Sequence, residues 1–398
     1  MNVRLPEWFI RRFNHAPGRL SSPTETRSLR IAIDGVIFQL QGKKSGGISV
    51  VWSNYLNRLS KSELSEKLIV LDRGRTTPRF DGLNYRRIKK YKGTSKDQRL
   101  QDSIYLEQLC GLEKVSLLIS TYYTYADRTK TAIVLHDFIP ERLGWDLNVT
   151  EWQSKHEAMQ KAFAYISISE NTLKDFRYYY PQFVGRSTQV IYNAAGEHFR
   201  PHSLDEVTHF QKKYGIIKPY YLFVGHRWPH KNAALFFQAA ALMPDSEDFE
   251  ILITGGNTKL EEEYVPCLKN IKHQVVHVSG QDMSPAYSGA LALVYPSFYE
   301  GFGLPVLEAM QSACPVITSP NSSLLEIGDG SCLFVKEDDV QGMREALTAI
   351  RDSRVRERLI KAGLNTASKY SWETSSRTLI EYLYALSSPD SHASIKAP

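Results

Sequence analysis

Several features that would assign a chain to a particular class are scarce or missing in this sequence of 398 residues. Cysteine occurs four times, without a CxxC pair or a histidine at metal-ligand spacing, which favours buried, reduced thiols over a disulfide framework or a zinc site. No apolar run approaches the roughly 18 residues of a membrane-spanning helix, and the basic N-terminus lacks the apolar segment of a signal peptide. Together these absences predict a cytoplasmic protein.

Negative charge is scarce in the first half of the chain. Residues 1–200 contain 31 Lys and Arg against 20 Asp and Glu, whereas residues 201–398 contain 18 against 23. The most basic stretch, RRIKKYKGTSKDQR, runs from Arg86 to Arg99 and is read most simply as a solvated surface loop. The alternative is a peripheral contact with anionic lipid head groups at the inner face of the membrane, or with an anionic acceptor. No nucleic-acid-binding motif accompanies the stretch, so nucleic acid is not an expected partner.

What the chain does have is a repeated alternation of short apolar runs and helical patterns. The apolar runs include 29–38, 66–72, 115–121, 131–137, 163–169 and 188–193 in the first half, and 220–225, 249–256, 274–280, 291–297 and 314–320 in the second. Such runs are typical of buried parallel strands. Their alternation with helices predicts an α/β protein with two doubly wound, Rossmann-like domains that face each other across a cleft. We expect an N-terminal domain over 1–200, a second domain over 201–370, and a C-terminal helix with a loose tail over 371–398.

The stretch SFYEGFGLPVLEAM follows one of these strands and combines two carboxylates with bare backbone. Gly301 and Gly303 expose backbone N–H groups, and Pro305 suits the first turn of a helix. A helix N-terminus carries a partial positive charge, so this joint suits phosphate groups or sugar hydroxyls. A glycoside hydrolase is a less suitable interpretation of Glu300 and Glu308. The two acids of such an enzyme flank the scissile bond on two faces of the sugar, whereas Glu300 and Glu308 belong to one loop–helix unit.

The longer segment EGFGLPVLEAMQSACPVI resembles the E-x7-E signature of family 4 glycosyltransferases, which have the GT-B architecture. The segments FVGHRWPHKN (223–232) and SSLLEIGDGSCLFVKEDD (322–339) are similar to further parts of that family's C-terminal domain. The resemblance covers nearly all of 219–385 and continues more loosely through IAIDG, SGGISVVW, VLHDFIPERLGWD and AYISISENT in the first half. It implies a GT-B fold in which the C-terminal helix returns to the N-terminal domain.

By this resemblance, the loop and helix start at 300–308 bind the donor, a nucleoside-diphosphate sugar. Glu300 holds hydroxyl groups of the donor sugar, and Glu308 accepts the ribose hydroxyls of the nucleotide. Sugar or phosphate oxygens bind the backbone N–H groups of Gly301, Phe302, Gly303 and Leu304. Gly46 and Gly47, in KKSGGIS, would let a second backbone segment approach the diphosphate. The alternative is a helix-start glycine pair without a ligand.

The same resemblance assigns catalytic roles to side chains that follow strands in both halves. Arg227 and Lys231 would stabilise the negative charge of the leaving diphosphate, and with Glu300 they complete the expected catalytic set of the second half. His136, at the end of TAIVLHD, resembles the family's active-site histidine near the donor sugar and the acceptor. A structural histidine is the alternative. Asp137 would lie on the acceptor side or cap the turn that follows.

The resemblance implies a retaining hexosyltransferase that moves a sugar from GDP-mannose or a UDP-hexose to an acceptor hydroxyl. The acceptor would be a glycan or a lipid-linked precursor in bacterial surface polysaccharide or glycoconjugate synthesis. No Asp-x-Asp motif follows a strand, so neither a metal ion nor another cofactor is expected. The sequence leaves two alternatives open: a catalytically silent nucleotide-sugar-binding scaffold, and a sugar-nucleotide epimerase of the same architecture.

Overall fold

The computed structural model describes residues 29–42 and 46–387. The N-terminal segment, to which the prediction about a signal peptide applies, and the predicted tail at 388–398 lie outside these residues. The strands of the first half are β1 Ile31–Asp34, β2 Leu68–Arg73, β3 Asn84–Ile88, β4 Leu117–Ser120, β5 Lys130–Leu135, β6 Ala164–Ser167 and β7 Ser187–Val190. Those of the second half are β8 Tyr220–Val224, β9 Glu250–Thr254, β10 Lys272–Val276, β11 Ala292–Tyr295, β12 Val316–Thr318 and β13 Leu333–Phe334.

Helices separate most of these strands. The first half contains α1 Val36–Gln41, α2 Gly47–Leu59, α3 Lys96–Leu112, α4 Ile139–Arg142, α5 Thr150–Lys161 and α6 Glu170–Tyr179. The second half contains α7 Leu204–Tyr214, α8 Ala233–Ala241, α9 Val265–Leu268, α10 Gly280–Ser288, α11 Leu304–Gln311, α12 Ser322–Gly328, α13 Val340–Ala349, α14 Ser353–Ala367 and α15 Trp372–Ser387. Among the helices of the described residues, none combines the length and the apolar character needed to cross a bilayer.

The strands form two separate sheets. The first has the order β3-β2-β1-β4-β5-β6-β7 and the second the order β10-β9-β8-β11-β12-β13. Every neighbouring pair is parallel. The central strands are buried along their whole length, as expected for parallel sheets covered by helices. The prediction of an α/β protein with two Rossmann-like domains is therefore confirmed.

The basic stretch from Arg86 to Arg99 is only in part the loop that its composition predicts, since residues 89–95 alone lie outside helices and strands. It begins in β3, the edge strand of the first sheet, and ends inside α3. The sequence YRRI lacks the apolar run that predicts a strand, because most side chains of β3 are exposed and only one of its five residues is buried. Arg86 forms an ion pair with Glu113, and Arg99 forms a two-point ion pair with Glu157 at 2.8 and 2.7 Å. Part of the basic charge is thus neutralised within the domain.

The last helix crosses back to the first domain. In α15, Tyr382 Oη donates to the carbonyl oxygen of Tyr165 at 3.2 Å and to Ser187 Oγ at 3.0 Å. Ser375 Oγ donates to the carbonyl oxygen of Tyr192 at 2.6 Å. The C-terminal helix therefore contacts the N-terminal sheet, as the resemblance implies.

Candidate active site

The two domains meet at the loop between β11 and α11, which carries the EGFG sequence. A Cβ atom added to Gly301 would lie 1.9 Å from the carbonyl oxygen of His136 and 2.9 Å from Cβ of Asp137. No side chain fits into that space, so the position requires glycine. The structure thus brings the predicted donor loop of the second domain into backbone contact with the predicted histidine of the first.

Two hydroxyl groups of the first domain hold this loop. Ser169 Oγ and Thr172 Oγ1, at the start of α6, both donate to the carbonyl oxygen of Gly301, at 2.8 and 3.0 Å. Next to them, Asn171 Nδ2 donates to Tyr299 Oη at 3.0 Å. Sequence reasoning missed these contacts. The S-x-x-T spacing predicts only the helix cap that Ser169 also forms, by accepting the N–H of Thr172 at 3.0 Å.

A buried ion pair holds Glu300, the first residue of the EGFG sequence. Lys231 Nζ donates to Glu300 Oε1 at 2.6 Å and to Tyr295 Oη at 2.8 Å. Ser297 Oγ donates to the same carboxylate oxygen at 2.6 Å. The structure therefore brings together two predicted residues, Lys231 and Glu300. It adds Tyr295 and Ser297, which carry no sequence signal beyond their place at the end of a strand.

Both members of this ion pair are charged. Burial alone would raise the pKa of Glu300, but the Lys231 ammonium and the Ser297 hydroxyl lower it below its usual value. Burial also opposes the charge on Lys231, yet the neighbouring carboxylate raises the pKa of Lys231 above its usual range. A cation already held in a buried position needs little reorganisation to stabilise a developing negative charge.

Helix α11 begins directly after the loop. Gly303 has φ of +97°, where residues with a Cβ atom are strained, and an added Cβ would lie 2.9 Å from Leu324 Cδ2. The helix starts at Leu304, and Pro305 occupies its first turn, where a missing N–H costs nothing. The side chain of Phe302 is buried, in agreement with the prediction that only its backbone is available. This end of the helix offers N–H groups and a partial positive charge to an anion.

Glu308 lies one turn into the same helix. Its Oε2 accepts a hydrogen bond from Tyr287 Oη at 3.0 Å. Burial raises the pKa of Glu308 to about 7, against the opposing effect of that hydrogen bond. Glu308 and Leu304 line a cavity of about 350 Å³ together with Val50, which lies in the first turn of α2. Glu308, the residue predicted to accept hydrogen bonds from the ribose, therefore shares a cavity with α2, the helix that begins at Gly47.

Gly46 and Gly47 stand at the start of α2 and differ in their surroundings. Gly46 donates its N–H to Ser49 Oγ at 3.1 Å, and a Cβ there would lie 2.5 Å from Nε2 of Gln41. A Cβ at Gly47 would meet no atom of the described residues within 4 Å. Gly47 is thus the member of the pair whose backbone is open to a ligand.

The lysine–glutamate pair, the glycine loop and the start of α11 all belong to one segment of the second domain. Residues 218–352 match the family model described as glycosyl transferases group 1. We call this matched segment, residues 218–352, the group 1 domain. It contains every predicted donor-binding residue except Gly46 and Gly47, which lie in the first domain.

Two mannosyltransferases are similar to parts of this chain. The O-antigen chain mannosyltransferase B of Escherichia coli is 29% identical over 232 residues, which are 56% of this chain and 60% of the relative. The O-antigen chain mannosyltransferase RfbU of Salmonella typhimurium is 37% identical over 136 residues, which are 33% of this chain and 38% of the relative. The matches thus span less than two thirds of either relative's length.

A solved structure identifies the fold of both domains together. HepE of Anabaena, crystallised in complex with UDP-glucose, superposes with a TM-score of 0.69 at 14% identity and covers 90% of this chain and 100% of that chain. The predicted GT-B architecture is therefore confirmed. The group 1 domain is its C-terminal half.

Arg227 lies in the group 1 domain but is already engaged. Its fully buried side chain forms an ion pair with Glu261. Its remaining N–H groups donate to the carbonyl oxygens of Gly255, Asn257 and Lys259, at 3.2, 2.8 and 3.0 Å. Within the described residues it has no hydrogen bond to Lys231 or Glu300. The predicted contact of Arg227 with phosphate stays a prediction, and it requires this network to rearrange.

His136 is buried at the end of β5. Its ring is hydrogen-bonded to the backbone of Thr121, and Nε2 has no partner among the described residues. Burial lowers the pKa of His136 to about 4, and the charge of Lys155 adds to that effect. The imidazole is therefore neutral at pH 7. Asp137 instead caps the next turn, where its Oδ1 accepts the N–H of Ile139 at 3.1 Å.

His230, beside Lys231, is a second buried histidine at the domain contact. The rings of Trp145, from the first domain, and Trp228 lie 6.0 and 5.7 Å from its ring. Burial lowers the pKa of His230 to about 4, and the charge of Lys231 adds to that effect.

No group of three or more His, Cys, Asp or Glu side chains within residues 29–42 and 46–387 is arranged to hold a metal ion. The groups this site offers to an anion are the Lys231 ammonium and backbone amides.

Proposed function

We propose that the chain is a retaining glycosyltransferase that moves a hexose from a nucleoside-diphosphate sugar to an acceptor hydroxyl. The observation that carries this proposal is the buried Lys231–Glu300 pair beside the glycine amides of the EGFG loop, where the two domains meet. A fixed cation and a helix N-terminus suit a diphosphate, and a carboxylate suits the hydroxyls of a sugar. The group 1 domain and the two mannosyltransferase relatives support the assignment.

The reaction needs little chemistry from side chains. The bond between the anomeric carbon and the diphosphate breaks, while the acceptor oxygen forms a bond to the same face of that carbon. The acceptor's proton passes to the leaving phosphate oxygen, so no covalent nucleophile, metal ion or other cofactor takes part. Lys231, the start of α11 and a rearranged Arg227 stabilise the departing charge. Neutral His136, whose Nε2 has no partner in the part of the chain that the structure describes, can hydrogen-bond a sugar hydroxyl.

GDP-mannose is the donor that we favour, because both relatives described above are mannosyltransferases. A UDP-hexose is the alternative, since the Anabaena structure holds UDP-glucose. Glu308 does not discriminate between them, because the ribose is common to both nucleotides. A thermal-shift comparison of GDP-mannose, UDP-glucose, GDP and UDP decides the donor, since a ligand that binds only the folded state raises the melting temperature.

The acceptor that we propose is a glycan or a lipid-linked precursor of a bacterial surface polysaccharide. We place the protein in the cytoplasm, in peripheral contact with the inner face of the membrane through the stretch from Arg86 to Arg99. The O-antigen assignments of the relatives support the acceptor class. The exposed lysines of that stretch support the membrane contact.

The catalytic role of Lys231 has a direct test. Lys231→Gln keeps a hydrogen-bond donor beside Glu300 but removes the positive charge. We expect the release of GDP from GDP-mannose, in the presence of a bacterial membrane extract that supplies acceptor, to fall by about 100-fold or more. Lys361→Gln, at an exposed lysine of α14, is the matched control and should turn over normally.

Other outcomes of the same assay separate the alternatives. Near-normal GDP release by folded Lys231→Gln would overturn the role of the ion pair. Donor binding by the unaltered chain without any release of nucleotide would favour the silent scaffold. An isomerised sugar nucleotide without a new glycoside would favour the epimerase.

A further inference from the structure

A lysine is buried beside the turn that carries His136 and Asp137. Lys155, on α5, exposes only 2% of its surface. Lysine is almost never fully buried unless it is paired, and its ammonium group has three N–H donors and no acceptor. The partners of this ammonium group therefore show what holds it inside the first domain.

Glu141, in α4, is the ionic partner of Lys155. Its two carboxylate oxygens lie 2.8 and 2.9 Å from Lys155 Nζ. Tyr180 Oη donates to the same carboxylate at 2.7 Å. The Lys155 ammonium group also lies 4.2 Å from the centre of the Phe138 ring. Both charges of the pair are thus hydrogen-bonded inside the domain.

A further partner of Lys155 connects it to the candidate active site. Lys155 Nζ donates to the carbonyl oxygen of Asp137 at 3.0 Å. The preceding carbonyl group, that of His136, is the one against which Gly301 packs, since its oxygen would lie 1.9 Å from a Cβ atom added to Gly301. Two successive carbonyl groups of one turn are therefore engaged, one by Lys155 and the other by the EGFG loop.

Stability alone is a weak reason for this buried ion pair. The transfer of both charges from water into the interior opposes their mutual attraction, and apolar residues of similar volume are often at least as stable in such a position. What the ammonium group of Lys155 provides, and an apolar side chain does not, is a directional hydrogen bond to the carbonyl group of Asp137. The contact therefore bears on the geometry of the turn.

We propose that Lys155 is a positioning residue, which fixes the backbone of His136 and Asp137 against the EGFG loop. This step rests on the proposed function, in which the side chains of His136 and Glu300 hydrogen-bond hydroxyl groups of the sugar. Lys155 acts through the turn, and it keeps these two side chains in register across the contact between the domains. A displaced turn lowers turnover, because rates fall steeply when groups at the reacting centre are misplaced.

Three variants separate positioning from stability. Lys155→Met leaves the Glu141 carboxylate buried without a cation, so the melting temperature should fall by several degrees. The apolar variant, defined as Lys155→Met, Glu141→Leu and Tyr180→Phe together, removes both charges and the hydroxyl group, and it should melt close to the wild type. Glu141→Gln removes the ion pair but keeps the Lys155 donor on the carbonyl group of Asp137.

Steady-state release of GDP from GDP-mannose, with the bacterial membrane extract as acceptor, measures the effect on the site. For Lys155→Met and the apolar variant we expect kcat to fall about tenfold or more, with KM for the donor within about twofold of the wild type. Glu141→Gln should keep more of the turnover than either. Lys161→Met, at an exposed lysine of the same helix that pairs with Asp127 at 3.4 Å, is the matched control and should turn over normally.

Hydrogen exchange followed by mass spectrometry tests the positioning role without any need for transfer activity. The amide groups of residues 299–303 should exchange about threefold faster or more in the apolar variant than in the wild type, because local opening depends on local contacts. Equal melting temperatures of the two proteins would show that this difference is local. Lys161→Met should leave the exchange of residues 299–303 unchanged.

Full recovery by the apolar variant would overturn the proposal. If that variant shows the stability, the turnover and the loop exchange of the wild type, Lys155 serves stability only. Equal loss of turnover in Lys155→Met and Glu141→Gln would overturn it as well, since the ion pair and not the contact with Asp137 would then decide the effect. That comparison also decides the matter if the apolar variant does not fold.

The exchange experiment keeps this proposal separate from the proposed function. If the wild type neither binds nor turns over a sugar nucleotide, the transferase assignment fails. Faster exchange of residues 299–303 in the apolar variant would still support the positioning of the loop by Lys155, and unchanged exchange would overturn it.

Discussion

The carboxyl group of Glu308 shows how the fold changes the chemistry of one side chain. In the sequence it is an ordinary glutamate on a helix. In the structure burial raises its pKa to about 7. A large fraction of the molecules then carries a protonated Glu308 at neutral pH, and a protonated carboxyl group has lost part of its capacity to accept hydrogen bonds from two ribose hydroxyls. On the proposed role of Glu308 as acceptor of the ribose hydroxyls, we expect nucleotide binding to release a proton.

We expect nucleotide affinity to rise with pH because of Glu308. The ionised fraction of a group with a pKa of 7 increases roughly tenfold between pH 6 and pH 8, so the affinity for GDP should increase by up to that factor. Isothermal titration calorimetry across this range measures the change. Glu308→Gln should bind more weakly and with a flatter pH profile, whereas Glu381→Gln, at an exposed position of α15, should behave as the wild type.

An unchanged pH profile in Glu308→Gln would contradict this assignment. The dependence would then belong to another group, such as the terminal phosphate of the nucleotide.

Helix α6 is the element that joins the first domain to the donor loop. Ser169 and Thr172 donate to the carbonyl oxygen of Gly301. Two backbone N–H groups at the start of the same helix donate to the carboxylate of Glu326, on α12 of the second domain, both at 3.0 Å. A residue of one domain thus caps a helix of the other, which favours a carboxylate at that helix N-terminus. Hydrogen bonds thus connect the first turn of α6 both to the EGFG loop and to α12.

We predict that the hydroxyls of α6 position the donor loop. Ser169→Ala with Thr172→Val should reduce turnover at least tenfold, because small displacements of a reacting group lower rates steeply. Steady-state kinetics with the proposed donor measure the effect, and Ser169→Thr, which keeps a hydroxyl, should retain more of the activity. Ser375→Ala is the matched control, since it removes a comparable bond to a backbone oxygen at α15.

A double variant that loses stability but keeps its turnover would make these hydroxyls structural only. Both the double variant and Ser375→Ala should lose about 1 kcal/mol of stability for each hydrogen bond removed, but only the double variant should also lose turnover.

At the scale of the whole molecule, two buried histidines lie at the contact between the domains. His136 lies against the backbone of Gly301, and His230 lies beside Trp145 of the first domain. Burial lowers the pKa of each to about 4. In the unfolded chain a histidine has a pKa of about 6.5, so the unfolded state binds protons at a pH where the folded state does not.

The free energy of unfolding should therefore fall as the pH is lowered from about 6.5 towards 4. Each histidine contributes a slope of up to about 1.4 kcal/mol per pH unit in that window, and none above it. Urea denaturation between pH 4.5 and 7.5 measures this dependence. His136→Gln should flatten the slope, and His209→Gln, at an exposed histidine of α7, should not. An identical slope in His136→Gln would show that His136 is protonated in the folded state.

Local features of the chain account for much of the fold and part of the site. Runs of β-branched residues predict the central strands, because a parallel strand covered on both faces must be apolar throughout. This reasoning does not predict the edge strand β3, because the residues of YRRI are mostly exposed. The EGFG loop is recognisable because its requirements are local. They are a glycine with positive φ at Gly303 and a proline in the first helical turn.

The sequence by itself determined the α/β class, the strand–loop–helix joint at residues 295–311, and the charged residues available there. Only the tertiary structure decided which of these groups meet. It paired Lys231 with Glu300, directed Arg227 to Glu261, and set the backbone of Gly301 against His136. Helix caps and turns depend on residues a few positions away, so the local sequence predicts them. The first two pairs join loops that follow neighbouring strands of the second sheet, and the third depends on how the two sheets pack together. No local pattern specifies either arrangement.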